Sequence, residues 1–165
     1  MSILGRILFD GAILSVAASL ILIASLWFNP RLFLQDYPAE IQEKVSPKTD
    51  KEKRQSLFVG IPYLLILIAV PFLSTLAMKR GSAGEVPFLH LFLNAFGVTF
   101  TFNLVDLLLL DWLMFCTITP DFVVIPGTEN MAAYKDYAYH FRASIKGTIL
   151  SAVAALVIAG IVILL

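Results

Sequence analysis

Four uncharged stretches dominate the hydrophobic pattern of the chain: residues 11–28, 55–78, 86–105 and 147–165. A bilayer core of roughly 30 Å takes about 20 helical residues to cross, and hydrocarbon offers no partner to an unpaired backbone group. Each stretch therefore predicts a spanning α-helix. With their flanks the crossings cover 7–28, 56–78, 87–117 and 144–165. Between them lie a long connection over 29–55, a tight Gly/Ser turn over 79–86 and a second long connection over 118–143. The expected fold is an all-α integral membrane protein: one polytopic domain, a bundle of four transmembrane helices, with short interfacial helices in the two long connections. A cleaved signal peptide is the alternative for the first stretch, with Arg6 at its basic start and Ala24-Ser25 near a cleavage point. Asp10 and the length of the run weigh against it.

Inside the crossings the small and polar positions carry the information. The first has Gly11, Ser15 and Ser19 at intervals of four, and the last has Gly147, Ser151 and Ala155 at the same interval. Spacing of four lays each set along one helix face, where a neighbouring backbone can approach closely. Sequence leaves open whether that neighbour belongs to this chain or to another copy. Pro62 and Pro71 interrupt the second run, and each removes a backbone hydrogen bond and tends to bend a helix.

The third crossing is the longest. Between Pro87 and Thr119 Gly97 is the one Gly or Pro, which allows a rod of up to about 50 Å at 1.5 Å rise per residue. Such a rod must tilt, protrude or break. At 100° per residue His90, Asn94, Gly97, Thr101 and Trp112 share one side, Thr99, Asn103 and Asp106 fall opposite, and Asp111 lies nearer the first group. An aspartate at mid-bilayer costs ~2.5–3.5 kcal/mol on insertion scales, so Asp106 needs a partner or a proton. Asn103 and Asp106 together form either the lining of an ion path or an interhelical hydrogen-bonded contact.

Overall composition fits this reading. Fully 59% of residues are apolar and only 15% charged, against roughly half and a quarter in soluble domains. Mean hydropathy is +0.86. Twelve basic residues balance twelve acidic ones, so no net positive field steers the chain onto nucleic acid, and no nucleic-acid partner is expected. The lone Cys116 excludes an internal disulfide. Lys and Arg are distributed nine against three in favour of the side that holds both long connections. By the positive-inside rule those connections face the cytoplasm and both termini lie outside, in a bacterial or archaeal cytoplasmic membrane.

The connections hold the remaining candidates. Residues 39–45 predict a short amphipathic helix that lays Ile41 and Val45 on the membrane or the bundle, followed by a solvated linker rich in Lys and Arg. In the second connection Thr128 is placed to cap a helix from Glu129 that carries Tyr134, Tyr137 and Phe141 on one stripe. Lys135, Arg142 and Lys146 form the next stripe, positioned to meet lipid headgroups. Asp136 and His140, four apart, are spaced for a carboxylate to orient an imidazole, and are the candidate catalytic pair. Arg6 is placed to pair with Asp10, and Trp27 and Trp112 read as interfacial anchors.

No phosphate-binding loop, dinucleotide fingerprint, nucleophile elbow or metal-ligand spacing is present, so neither cofactor nor metal is expected. Three functional classes stay open. The first is an oligomeric ion- or proton-linked transporter or channel-like protein, with Asn103, Asp106 and Asp111 along the path. The second is an accessory or scaffold subunit bound to another membrane protein through its small-residue faces. The third is an interface enzyme that acts on a lipophilic substrate through Asp136, His140 and Asp111. The expected partners are the lipid bilayer and either further copies of the chain or a second membrane protein.

Overall fold

The computed structural model describes residues 2–165. Four of its helices are long and apolar enough to cross a membrane: α1 (Ile3–Phe28), α3 (Asp50–Arg80), the continuous rod Phe88–Ile118 that begins as α4 (Phe88–Val105), and α5 (Tyr137–Leu164). A 3-10 segment (Pro30–Asp36) and the short α2 (Ala39–Lys44) fill the first long connection, and a single 3-10 turn (Ala132–Lys135) lies in the second. Outward positions are apolar along the length of the bundle. Val16 and Leu20 of α1, Leu64 and Leu65 of α3, and Leu150 and Val157 of α5 all expose more than half of their surface. In water such a belt would drive aggregation, whereas in a bilayer it meets lipid. The chain is an all-helical bundle of membrane-spanning proportions.

Helix α4 is central and touches α1, α3 and α5. Its two sides match the two small-residue ladders. On one, a Cβ added to Gly11 would come within 2.6 Å of Thr101 Cβ, and one added to Gly97 would come within 2.7 Å of Ile7 Cδ1, so these glycines let α1 and α4 approach closely. Ser15 is buried in the same interface and donates to Gly11 O at 2.7 Å, while Ser19 is half-buried. On the other side Gly147 faces Asn103 Oδ1, and Ala155 packs with Leu91 and Ala95 while Ser151 is half-buried. Gly11 of the first ladder and Gly147 and Ala155 of the second thus face α4 within one chain.

Asn103 is the polar clasp of the second interface. Its Nδ2 donates to Ser144 O at 3.0 Å and to Thr148 Oγ1 at 2.6 Å, and its Oδ1 accepts from Ser144 Oγ at 3.2 Å. Interhelical hydrogen bonds in a membrane contribute about 0.6–2 kcal/mol each. Asn103→Leu should therefore destabilise the bundle by about 1–2 kcal/mol, read as a lower unfolding midpoint in nanodiscs. An unchanged midpoint would remove the clasp.

Helix α3 stays continuous through Pro62 and Pro71. It begins with a capping box in which Glu52 N donates to Thr49 Oγ1 at 3.2 Å and Thr49 N donates to Glu52 Oε2 at 2.7 Å. The segment before it is no free linker. Arg31 meets Glu52 at 2.6 Å and donates to Ser46 O, and Lys48 is held by Leu32 O, Gln35 and Ser56. At the opposite end Lys79 donates to Val162 O and Ile163 O, a cation on the carbonyl end of α5.

Asp10 is engaged by Ser74 Oγ rather than by Arg6. Ser74 and Thr75 in turn accept from Asn94 Nδ2 at 2.9 and 3.1 Å. The expected Arg6 pair fails because Asp10 turns into the α1–α3–α4 seam, where a buried hydroxyl can satisfy it.

Beyond Val105 the rod changes its winding. Residues Asp106–Ile118 are π-helical, with i→i+5 bonds. Thr119 N donates to Met114 O at 2.8 Å, and Thr117 Oγ1 reaches back five residues to Trp112 O. The segment ends at Thr119, whose φ of 49° is left-handed. Asp111 consequently departs from the α projection. Five residues of α-helix would put it about 140° from Asp106, but in π winding residue i+5 stacks beneath residue i.

Candidate functional site

The two long connections fold onto each other at one end of the bundle and form an apolar cap. Leu34, Tyr37 and Ile41 of the first pack with Val123, Ile125 and Tyr134 of the second and with Phe115 and Cys116 at the end of the rod. Tyr37, only 1% exposed, is the centre. Its hydroxyl donates to Val123 O at 2.8 Å, its carbonyl accepts from Gln42 Nε2 and from Tyr139 Oη, and its ring meets Phe115 edge-on at 5.1 Å. Ile41 of α2 therefore packs on the bundle rather than on lipid.

Tyr134 locks the second connection. Its hydroxyl accepts from Ile125 N at 2.9 Å and contacts Thr128 Oγ1 at 2.6 Å, while Thr128 Oγ1 donates its single proton to Ile125 O. The tyrosine must then donate to the threonine. Thr128 is consumed in this turn, so it caps no helix, and no helix starts at Glu129. That carboxylate instead accepts from Gly127 N, which holds it below the usual carboxylate range.

Beneath the cap lies a cavity of about 280 Å³. Three carboxylates reach it, Asp36 from the first connection and Asp106 and Asp111 from the π segment, together with His140 of α5. Tyr37, Tyr63 and Tyr139 add hydroxyl-bearing rings, and Leu22, Leu26, Phe33, Leu110, Met114, Phe115 and Ala143 supply apolar wall. Among the described residues no Lys or Arg lines it. Asp36 keeps solvent exposure and so marks the mouth. Crowding by the surrounding chain pushes its carboxyl above the ordinary range, with Lys48 opposing the rise and Asp111 adding to it.

His140 is 4% exposed, and its Nδ1 lies 3.0 Å from Asp111 Oδ1. A carboxylate at Nδ1 accepts the Nδ1–H hydrogen bond and fixes the ring, which leaves Nε2 as the free functional atom. Nε2 is buried without a partner. The Asp106 carboxylate likewise takes no hydrogen bond from any described residue.

The sequence-derived candidates are thus regrouped. Asp106, Asp111 and His140 come together. Asn103 does not line the cavity, because α5 occupies its whole amide. Asp136 is not the partner of His140. Helix α5 starts at Tyr137, so Asp136 is its N-cap: Oδ1 accepts from Tyr139 N at 2.8 Å and Oδ2 stands 3.9 Å from Arg142. The four-residue spacing holds only when both residues are helical. Lys135, Arg142 and Lys146 are exposed at the cap end. Asp36 and the ring of Tyr63 were absent from the sequence candidates, and the signal for Asp36 was an acid set among aromatic and proline residues directly after a crossing.

No protein-family model, curated protein or solved structure matches the chain.

Proposed function

We propose that this chain is a small multi-pass membrane protein that binds a proton or small cation in the cavity around Asp106 and links it to movement of an ion or solute across the bilayer. One observation carries the reading: Asp36, Asp106, Asp111 and His140 converge on one space whose lining holds no Lys or Arg among the described residues. Acidic groups at such depth are costly, and a bound cation or proton compensates them. The cap side is cytoplasmic on the distribution of Lys and Arg. Away from the cap the bundle is closed by layers such as Leu14, Ala18, Val98 and Phe102, so passage requires either rearrangement of the helices or a path between copies.

The test is flux of protons and monovalent cations into proteoliposomes. The wild type should conduct and Asp106→Asn should lose at least tenfold. Absent flux, or flux indifferent to Asp106→Asn, removes the reading.

The Asp111–His140 pair supports a second reading, an acid/base enzyme working on a lipophilic substrate. It predicts that His140→Gln abolishes turnover while leaving Asp106-dependent flux absent in all variants. A third reading is an accessory subunit bound to another membrane protein; Gly11, Gly147 and Ala155, three of the small residues that suggest it, face α4 within this chain.

A further inference from the structure

We infer that the occupant of the cavity is a small organic ammonium ion, a primary or secondary amine carrying a short alkyl or arylalkyl body. The inference rests on the cation-binding half of the reading above.

Size comes first. A proton needs no cavity, whereas about 280 Å³ is roughly nine times the ~30 Å³ that a water molecule occupies in the liquid. The space suits a ligand of about eight to ten non-hydrogen atoms, near the lower limit of small-molecule sites. The chemistry of the walls comes second. Among the described residues no group of three or more His, Cys, Asp or Glu side chains is gathered tightly enough to hold a metal ion. Much of the wall is hydrocarbon and aromatic ring, which offers a bare inorganic cation few ligands and an apolar body a complementary surface.

Charge decides the polar end of the ligand. Three carboxylates against a single imidazole, with no Lys or Arg in the lining among the described residues, disfavour an anion and leave excess negative charge that a neutral ligand does not compensate. Aromatic faces such as Tyr63 and Phe115 attract an organic cation through the ring quadrupole. Two acceptors remain without donors: the Asp106 carboxylate and, on an imidazole held through Nδ1 by Asp111, the buried Nε2 of His140. Ammonium N–H groups can fill both. A quaternary ammonium has no N–H to give, so primary and secondary amines should bind more tightly.

The experiment uses the full chain in nanodiscs, titrated at neutral pH with benzylammonium and pentylammonium, with benzyl alcohol, benzoate and benzyltrimethylammonium as comparators. Binding is read by calorimetry and by the unfolding midpoint. Both primary amines should bind and raise the midpoint, with benzyl alcohol and benzoate at least tenfold weaker. Asp106→Asn should weaken benzylammonium at least tenfold. Asp36→Asn, at the exposed mouth where folding is least at risk, should weaken it severalfold, and Ala143→Phe should block it while leaving every carboxylate in place.

No binding of either primary amine to folded wild type, equal binding of benzyl alcohol, or affinity unchanged in both Asp→Asn variants overturns the inference. Flux in proteoliposomes separates the two proposals. Asp106-dependent flux without amine binding sinks the ligand class and leaves the transport reading standing. Asp106-dependent amine binding without flux does the reverse.

Discussion

Replacing Tyr37 with alanine should destabilise the cap by about 3–5 kcal/mol, the range for truncating a fully buried aromatic side chain. The ring fills the space between Phe115 and Tyr134, and its hydroxyl is the donor to Val123 O. The loss therefore combines a void with an orphaned carbonyl in apolar surroundings. Cys116 provides the readout. It is the single cysteine of the chain and is 0% exposed within the same cluster. Its reaction with a membrane-impermeant maleimide in nanodiscs should accelerate by two orders of magnitude or more in Tyr37→Ala. Tyr37→Phe, which keeps the ring and loses only the hydroxyl, should cost about 1–3 kcal/mol and raise labelling less. Equal labelling rates in wild type and Tyr37→Ala would mean that the connections do not close over one another.

Gly11→Leu should be the most damaging single substitution in the bundle, at about 3 kcal/mol or more. Even a methyl group at this position would lie 2.6 Å from Thr101 Cβ and 2.8 Å from its Cγ2. A β-branched side chain next to its own backbone cannot swing away, so α1 and α4 must separate. That separation surrenders the contacts of Leu14 and Ala18 with Val98 and Phe102. Gly60→Leu is the matched control, since nothing lies within 4 Å of a Cβ built there. It should be neutral or slightly stabilising, because glycine is a poor helix former. Thr101→Gly should recover much of the loss caused by Gly11→Ala. Indistinguishable unfolding midpoints for Gly11→Leu and Gly60→Leu would refute the close approach of the two helices.

These two positions mark the boundary of what could be read from sequence. Gly11 was legible because lipid permits few solutions: a spanning segment must be a helix, and small residues four apart must face a neighbour. The assignment of Gly97 and Thr101 to one side of α4 and Asn103 to the other follows from the α period, which the chain obeys as far as Val105. Past that point the period changes, and no local pattern announced it, so Asp111 could not be brought to Asp106. Tyr37 was illegible for a different reason. Its partners Val123 and Tyr139 lie 86 and 102 residues away, and pairing over such distances has no periodic signature.

Some local signals were present and outweighed. Thr49 and Glu52 carry the spacing of a capping box, but the surrounding charge favoured a solvated linker. Asp136 illustrates the converse error. A spacing of four implies contact only inside a helix, and an aspartate directly before one is better used by the free amides of its first turn.

The cap has a mechanical consequence. It joins the segment that follows α1 to the segment that precedes α5, so all four rods are riveted together at one end. At the far end they are tied by a short turn, the hydroxyl and amide contacts around Asp10, and the ammonium of Lys79. A body fastened at both ends resists splaying of its rods, so the walls of the acidic chamber stay in register.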